Sequence, residues 1–316
     1  MRSIRICLLC LMSIFLLSGL SSCDNSSADV GRDDIKINII LNKVSSVFTP
    51  YLPNHMQMYS SGGVQSTIAV KVLIYGDDGK LMKQITKNIS DYSVEALQLE
   101  EQISGASPLL VCFTYATITL DGKTYDAYSF SGVNSLSTLK VTSEFSMGLY
   151  TESIPWKLLG GAIVNLGNNS GEVNVPVGPL GGVAYYVWDN IHAHSGETNA
   201  PTMLRIWNHC NDYVMVKNKQ FSFGTTLENS YAYYRDLHSI SSYSYNTIQH
   251  PMFILSGDAS ISGEGFYSPS NFAEEGDEVS YKYSNSKSIN VKAGKQYIFT
   301  VDFDKYTVNL NEGVYH

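Results

Sequence analysis

The segment TIAVKVLIYGDDGKLMKQITKNI, residues 67–89, decides the fold class. A run rich in β-branched residues extends from Thr67 to Gly76, and a second run extends from Leu81 to Ile89. Residues of this type favour strands. The two runs are joined by Asp77–Lys80, and an Asp-Gly pair between such runs is the strongest short-range signal for a β-hairpin. The segment therefore predicts two antiparallel strands connected by a tight turn.

The chain downstream repeats this pattern. YATITLDGKTYDAYSF, residues 115–130, again has strand-like runs on both sides of an Asp-Gly pair, here Asp121 and Gly122. It follows LLVCFTYATI, residues 109–118, whose uninterrupted apolar start is typical of a strand in the core. We expect a second hairpin here, with its first strand deeply buried.

Short β-branched or aromatic runs, separated by Gly, Pro, Asn, Asp and Ser, occupy most of the remaining chain. They are Ile35–Leu41, Gly171–Val177, Gly181–Ile191, Thr202–His209, Asp212–Phe223, Pro251–Ile261, Lys287–Gly294, Lys295–Phe303 and Lys305–Leu310. Helical candidates are few. Ser93–Ile103 fits a short helix, although its alternation fits a strand equally well, and the segment around Phe272 fits a turn. The pattern predicts an all-β protein.

Hydrophobic residues make up 44% of the 316 residues, which is enough to fill the cores of two domains of ordinary size. The polar, Gly-rich stretch Leu166–Val173 lies near the middle and is the best candidate boundary. The prediction is two tandem β-sandwich domains, of the transthyretin-like or Greek-key type, covering residues 35–168 and 169–316.

The N-terminus carries the features of a bacterial lipoprotein leader. Arg2 and Arg5 precede the apolar run Ile6–Leu20, which is shorter than the ~20 residues that a membrane-spanning helix needs. The run ends in Leu-Ser-Ser-Cys, which resembles a lipobox, so residues 1–22 are interpreted as a signal peptide and Cys23 as the lipidated residue. Two or more acyl chains of the palmitate type would anchor the chain stably to a membrane. Residues 23–34 are too polar to fold and are interpreted as a flexible tether.

The charge and the motifs exclude several functions. The net charge is −8, and the 21 Lys and Arg residues form no basic patch, so nucleic acid is not an expected partner. The sequence contains no G-x-S-x-G, H-E-x-x-H, P-loop or G-x-G-x-x-G motif. We therefore expect neither an enzyme nor a bound cofactor.

After the leader and Cys23, the only cysteines are Cys112 and Cys210. They could pair in an oxidising compartment. However, Cys112 lies in an apolar run, and small buried cysteines pack as hydrophobic residues. Two buried free thiols are the favoured interpretation.

Two groups of residues have the side chains of metal ligands but lack the spacing of a metal site. His192 and His194, together with His209 and Cys210, could approach one another, but the two-residue spacing falls in an apparent loop, and zinc sites show tighter paired spacings. The acidic residues Glu274, Glu275, Asp277 and Glu278 do not have the spacing of a calcium-binding EF-hand loop. Solvated loops are favoured for both, so no metal is expected.

Taken together, the leader, the tether and the two sandwiches resemble the anchor and accessory lipoproteins of the Bacteroidales fimbrillin superfamily. The resemblance is carried by TIAVKVLIYGDDGKLMKQ (67–84), ASPLLVCFTYA (106–116) and GEVNVPVGPLGGVAYYVWDNI (171–191). The chain departs from the family pattern at Val177–Gly182, where the family often has a basic residue and Asn, and at Gly105–Pro108, which replaces a Gly-x-Tyr step.

The resemblance implies a surface-exposed outer-membrane lipoprotein that acts as an anchor or accessory subunit of a fimbrium and supports adhesion. Its partners would be membrane lipid, through the Cys23 acyl chains, and other fimbrial subunits, through β-strand addition. The alternative is a glycan-binding surface lipoprotein, because Tyr231–Asn246 is rich in Tyr, Ser and His, a composition typical of adaptable binding surfaces.

Overall fold

A computed structural model describes residues 34–41, 65–89, 95–103, 107–120, 123–144, 158–167, 171–190, 203–225, 230–236, 248–267, 280–302 and 307–312. The leader, Cys23 and the tether up to residue 33 lie outside these residues. All secondary-structure elements of the described residues are β-strands, which confirms the predicted all-β fold class. None of the described segments forms a helix able to cross a membrane.

The strands of the first half are β1 (Asp34–Ile40), β2 (Gln65–Tyr75), β3 (Leu81–Ile89), β4 (Ala96–Gln102), β5 (Leu109–Leu120), β6 (Lys123–Asp126), β7 (Tyr128–Ser131), β8 (Lys140–Ser143) and β9 (Leu159–Asn165). The strands that follow are β10 (Glu172–Pro176), β11 (Gly178–Pro179), β12 (Gly181–Asp189), β13 (Met203–His209), β14 (Tyr213–Lys217), β15 (Gln220–Gly224), β16 (Ser230–Asp236), β17 (Ile248–Leu255), β18 (Gly257–Tyr267), β19 (Ser280–Val291), β20 (Gln296–Asp302) and β21 (Thr307–Glu312).

The first predicted hairpin is confirmed, since β2 and β3 pair antiparallel. In its turn the Gly76 amide donates to the Lys80 carbonyl at 2.9 Å, and the Lys80 amide donates to Asp78 Oδ1 at 2.9 Å. Gly79 has a φ of +74°, a conformation that glycine adopts without the steric cost of a Cβ. The Asp-Gly pair therefore forms the turn that it predicts.

The second hairpin is confirmed only in its first part. β5 pairs with β6, but the chain then leaves this sheet, and β7 pairs with β8 instead. The switch occurs where two successive residues, Ala127 and Tyr128, are both buried, so the alternation of a single strand is broken. The expected return strand up to Phe130 is in fact two strands in two sheets.

Two other sequence interpretations are refined. Ser93–Ile103 contains the strand β4, so the strand alternative is correct for this segment. Asp212–Phe223 is a hairpin rather than one run, because Asn218 and Lys219 have φ values of +50° and +57°. Positive φ at both central residues is the requirement of a two-residue type I′ turn.

The strands form five sheets, named here in order. Sheet A is β10-β1-β4; sheet B is β11-β9-β5-β2-β3, with β6 paired to β5; sheet C is β15-β14-β8-β7; sheet D is β17-β12-β20-β21; and sheet E is β16-β13-β18-β19. Two neighbouring pairs, β1 with β10 and β12 with β20, are parallel, and all the others are antiparallel.

The central strands β2 and β5 of sheet B are buried on both faces. The residues of one face, among them Val70, Val72 and Cys112, pack with sheet A to form a cluster called here the sandwich core. Those of the other face pack with residues of sheets C and D to form the central core, whose largest side chains include Phe113. This double burial explains why β5 begins as an uninterrupted apolar run, unlike a strand with one face in solvent.

The division into two domains between residues 168 and 169 stays a prediction. Strand pairings cross this proposed boundary. β10 and β11 lie C-terminal to that point, yet β10 pairs with β1 and β11 pairs with β9. The central core also contains residues from both sides of it, such as Val111 and Val183. The pairings thus join segments 171–179 to the N-terminal sheets.

Candidate strand-addition site

The strand β1 holds sheet A together. It pairs parallel with β10 on one side, with Ile37 opposite Val173, and antiparallel with β4 on the other, with Ile37 opposite Leu99. Among the described residues, β4 and β10 form no other strand pairing. If β1 left, two unpaired strand edges would face each other across a gap one strand wide. This gap is called here the β1 slot.

Main-chain hydrogen bonds continue beyond both ends of the pairing. The Leu41 amide donates to the Glu95 carbonyl at 2.8 Å, the Lys36 amide to the Gly171 carbonyl at 2.9 Å, and the Val177 amide to the Ile40 carbonyl at 3.0 Å. Such bonds do not depend on side chains. They would hold any extended strand of suitable shape in the same position.

Side chains on the inner face of β1 supply the selectivity of the slot. Ile35, Ile37, Ile39 and Leu41 point into the sandwich core, and Ile37 and Ile39 are completely buried. Full burial of an aliphatic side chain of this size contributes about 1.5–3 kcal/mol. An occupant of the slot therefore needs branched apolar residues at every second position.

The outer face of β1 is polar and contributes little stability. Lys36 Nζ lies 3.8 Å from Glu100 Oε1, but both side chains are mostly exposed, and such pairs are typically worth less than about 1 kcal/mol. Asn38 Nδ2 donates to Glu172 Oε1 and, at 3.3 Å, to Asn174 Oδ1. These contacts link β1 to β10 without burying apolar area.

Both walls of the slot are attached to sheet B without the help of β1. On one side, Lys83 of β3 forms an ion pair with Glu101 of β4. On the other side, the chain runs from β10 directly into β11, where Gly178 pairs with Gly161 of β9. The floor of the slot is sheet B itself. Each wall of the slot therefore has a contact with sheet B that does not involve β1.

The C-terminal tail lies at an edge instead. β21 pairs antiparallel with β20 of the same chain, with Val308 opposite Val301, and forms the border of sheet D. The described part of the tail therefore pairs within its own chain. Among the described strands of sheet D, it is an outer one with a single partner.

The two cysteines of the folded part, Cys112 and Cys210, form no disulfide with each other. Cys112 is completely buried in the sandwich core, and this burial raises the pKa of its thiol well above the ordinary value. Cys210 is only half-buried, so the expectation of two buried thiols is wrong for this residue. Neither position forms part of a reactive site.

Of the possible metal ligands, only His209 and Cys210 are described, and His192 and His194 lie outside the described residues. His209 is exposed at the end of β13. No group of three or more potential ligands occurs among the residues that the structure covers. The acidic residues 274–278 also fall outside them.

The tyrosine-rich segment is described only in part, because Tyr231–Asp236 lies in β16 and residues 237–246 lie outside the described set. Glycan binding predicts a flat, exposed aromatic platform. Among side chains whose exposure is described, the large hydrophobic residue that is exposed is Met82, at 44%. The described side chains therefore show no aromatic platform.

Sequence reasoning did not identify the slot. The alternation of Ile35–Leu41 indicates a strand with one buried face, but it carries no information on the partner strands. The parallel partner β10 is more than 130 positions away in the sequence. The alternation of Val173, Val175 and Val177 does indicate that β10 has one buried face, as β1 has. This pattern would fit a pairing of β10 with any strand of the same sheet.

Comparison with known proteins places the fold. No family model matches the chain, and no curated protein matches it. Among solved structures, a Bacteroides thetaiotaomicron protein whose name proposes polysaccharide binding has a TM-score of 0.50 and 10% identity, covering 89% of this chain and 98% of its own.

Two others have lower scores. A Bacteroides thetaiotaomicron protein named as a proposed adhesin has a TM-score of 0.49 and 8% identity, with 88% and 95% of the two chains covered. The fimbrial anchor protein Mfa2 from Porphyromonas gingivalis has a TM-score of 0.47 and 12% identity, with 89% and 97% covered. The all-β architecture shared with the first of these structures, at a TM-score of 0.50 and 10% identity, is a likeness of fold and of nothing finer.

Proposed function

We propose that this protein is a non-catalytic outer-membrane lipoprotein of the cell surface, which acts as an anchor or accessory subunit of a fimbrium. It joins other subunits by β-strand addition and supports adhesion. The observation that carries this proposal is the β1 slot. A strand that alone connects two sheet edges would, if it were displaced, leave the main-chain groups of both edges available to another extended strand, which supports strand addition.

The position of β1 in the chain supports the anchor role. Cys23 is the proposed lipidation site, and β1 begins at Asp34. An extended chain spans at most ~3.6 Å per residue, so the tether keeps β1 within a few nanometres of the membrane. The slot therefore lies at the membrane-proximal end of the proposed fibre, and the same short segment links the lipid to the subunit contact.

A disulfide that locks β1 in its slot tests this proposal. Because the Leu41 amide bonds to the Glu95 carbonyl, Asn38 and Gln98 form a non-hydrogen-bonded pair. Such pairs have the closest Cβ atoms and suit a disulfide. The variant Asn38→Cys with Gln98→Cys, in a Cys210→Ser background, should lose subunit association in the oxidised form and regain it on reduction.

The matched control is Gln98→Cys with Cys210→Ser, which cannot form the crosslink and should associate as the unmodified protein does under both conditions. Co-purification of fimbrial subunits and electron microscopy of cells carrying each variant provide the readouts. Full association of the oxidised double-cysteine variant would contradict strand addition at this slot.

Membrane attachment is tested separately. Cys23→Ala should abolish incorporation of labelled palmitate and release the protein from the membrane fraction. Cys210→Ser is the control, since it removes a thiol outside the leader and should leave labelling unchanged. A Cys23→Ala protein that still carries label would refute lipidation at this position.

A further inference from the structure

A depression lies at the end of sheet E, away from the β1 slot. Its polar lining comes from three adjacent strands: His209 of β13, Asp258 and Ser260 of β18, and Ser288 and Asn290 of β19. Two apolar residues, one from each of the last two strands, complete it. Its volume is about 390 Å³, and it is open to solvent over most of its extent.

A carboxylate and an amide are held in fixed orientation in this depression. Asp258 and Asn290 lie opposite each other in the β18–β19 pairing, and Asn290 Nδ2 donates to Asp258 Oδ1 at 2.8 Å. The same bond orients the atoms that remain available to a ligand. These are the acceptors Asp258 Oδ2 and Asn290 Oδ1 and the second N–H of Asn290. Acceptors and a donor at fixed spacing match adjacent hydroxyl groups, each of which donates and accepts.

The hydroxyl groups of Ser260 and Ser288 and the imidazole of His209 lie next to this hydrogen-bonded pair. The β13–β18–β19 register places His209 opposite Ser260, and Ser260 opposite Ser288. These three residues form one row across the sheet, next to the Asp258–Asn290 pair. The depression thus presents groups that can each donate or accept a hydrogen bond, around apolar residues able to contact C–H groups.

The charge of the lining selects against other ligands. None of the residues lining the depression is Lys or Arg, and the Asp258 carboxylate would repel a phosphate or a sulfate. A single carboxylate with one imidazole is also too few ligands for a structural or catalytic metal. A neutral, hydroxyl-rich molecule is the class that remains.

We propose that this depression binds one neutral saccharide unit of a larger glycan, with Asp258 and Asn290 as the residues that recognise its vicinal hydroxyls. This site is separate from the β1 slot and needs no second subunit. It gives the proposed adhesive protein a chemical class of target.

The test is a titration of the purified, isotopically labelled mature chain, followed by amide chemical shifts. The probes are D-glucose, D-galactose, D-mannose and N-acetyl-D-glucosamine, with glucose 6-phosphate as the charged counterpart. At least one neutral sugar should shift the amides of residues 209, 258–260 and 288–290. Tighter binding of glucose 6-phosphate than of glucose would overturn the assignment to a neutral ligand.

Two exposed positions provide the variants. Asp258→Ala should weaken the binding of the responding sugar about tenfold, since the loss of one charged hydrogen-bonding partner typically costs this much. Asn174→Ala, an exposed asparagine of β10 with a similar side-chain hydrogen bond, is the matched control and should bind as the unmodified chain does. Thermal unfolding of both variants verifies that they are folded.

Absence of shifts with all four neutral sugars would overturn this inference, as would equal binding by Asp258→Ala and the unmodified chain. Neither of these two titration results tests strand addition, because the titration needs no other subunit. Conversely, failure of the β1 lock to block subunit association leaves the sugar titration unaffected.

Discussion

The strands β5 and β1 are both central strands with a partner on each side, yet they differ in how they are buried. β5 has one face in the sandwich core and the other in the central core, so Leu109–Thr117 is buried without interruption. β1 buries every second residue and carries Lys36 and Asn38 on its outer face. β5 is thus buried on both faces, whereas β1 is buried on one face only and is the strand that an equivalent segment would replace under the proposed function.

The largest expected effect is in β5. Phe113 is completely buried, and its ring lies 5.5 Å from those of both Phe130 and Phe221. Phe113→Ala should lower the free energy of unfolding by about 3–5 kcal/mol, because it removes buried apolar area and leaves a cavity. Denaturant unfolding measures this, and hydrogen exchange should accelerate in all sheets that border the central core. A loss below about 1 kcal/mol, within the range of surface substitutions, would contradict the scaffold role of β5.

The equivalent change in β1 is Ile37→Ala, which removes a completely buried side chain from the sandwich core and should cost about 2–5 kcal/mol. Because this cost also lowers the free energy of global unfolding, exchange should accelerate in β5 as well as in β1, β4 and β10. The distinguishing result is that β1, β4 and β10 still open at a lower free energy than β5. Equal opening free energies for β1 and β5 in this variant would show that β1 does not open independently. Ile40→Ala, on the outer face, is the control and should have a smaller effect.

A smaller effect is expected where sheet B meets sheet C. A Cβ added to Gly161 would lie 2.7 Å from Phe221 Cζ and 2.8 Å from Leu180 Cδ1, closer than such atoms approach. Gly161→Ala should therefore cost about 1–3 kcal/mol by overpacking. Its register partner Gly178 has no atom within 4 Å of the same position, so Gly178→Ala is the matched control. Equal stability of the two variants in thermal unfolding would contradict close packing between the sheets.

Alkaline pH should affect the central core through its tyrosines. Burial raises the pKa of Tyr75 to about 12 and that of Tyr115 to about 12, from an ordinary value of 10.0. Because the folded chain keeps these protons after the unfolded chain has lost them, stability is fully present below pH 10 and falls as the pH rises toward 12. Tyr75→Phe should flatten this fall when unfolding is measured between pH 9 and 12. An unchanged slope would contradict the burial of this hydroxyl.

The sequence was sufficient for most of the strands and for the turns that depend on particular residues, but it did not indicate β8, β9 or β16. Asp78 and Gly79 determine their turn through local hydrogen bonds and a positive φ, so a short window contains the necessary information. The uninterrupted apolar run of β5 likewise indicated deep burial. The ambiguous segment that became β4 was settled by pairing with β1, a contact outside any local window.

Other features could not be predicted because they depend on contacts between distant segments. The switch of Tyr128 into sheet C follows from burial of two successive residues, which composition does not reveal. The parallel pairing of β1 with β10 joins residues such as Lys36 and Glu172 through main-chain bonds that any sequence can form. The polar depression around Asp258 and Asn290 is assembled from separate strands by register alone.

Hydrogen exchange of the intact mature chain can show whether β1 leaves its slot independently of β5, because it measures the opening free energy of each strand without changing a residue. We expect the amides of residues 35–41 to exchange through a partial opening, at a lower free energy than those of residues 110–117. β4 and β10 should lose protection together with β1, since each has it as its strand partner. If residues 35–41 instead opened only with residues 110–117, in one global unfolding event, β1 would be part of the permanent scaffold and the slot would not be a site of strand addition.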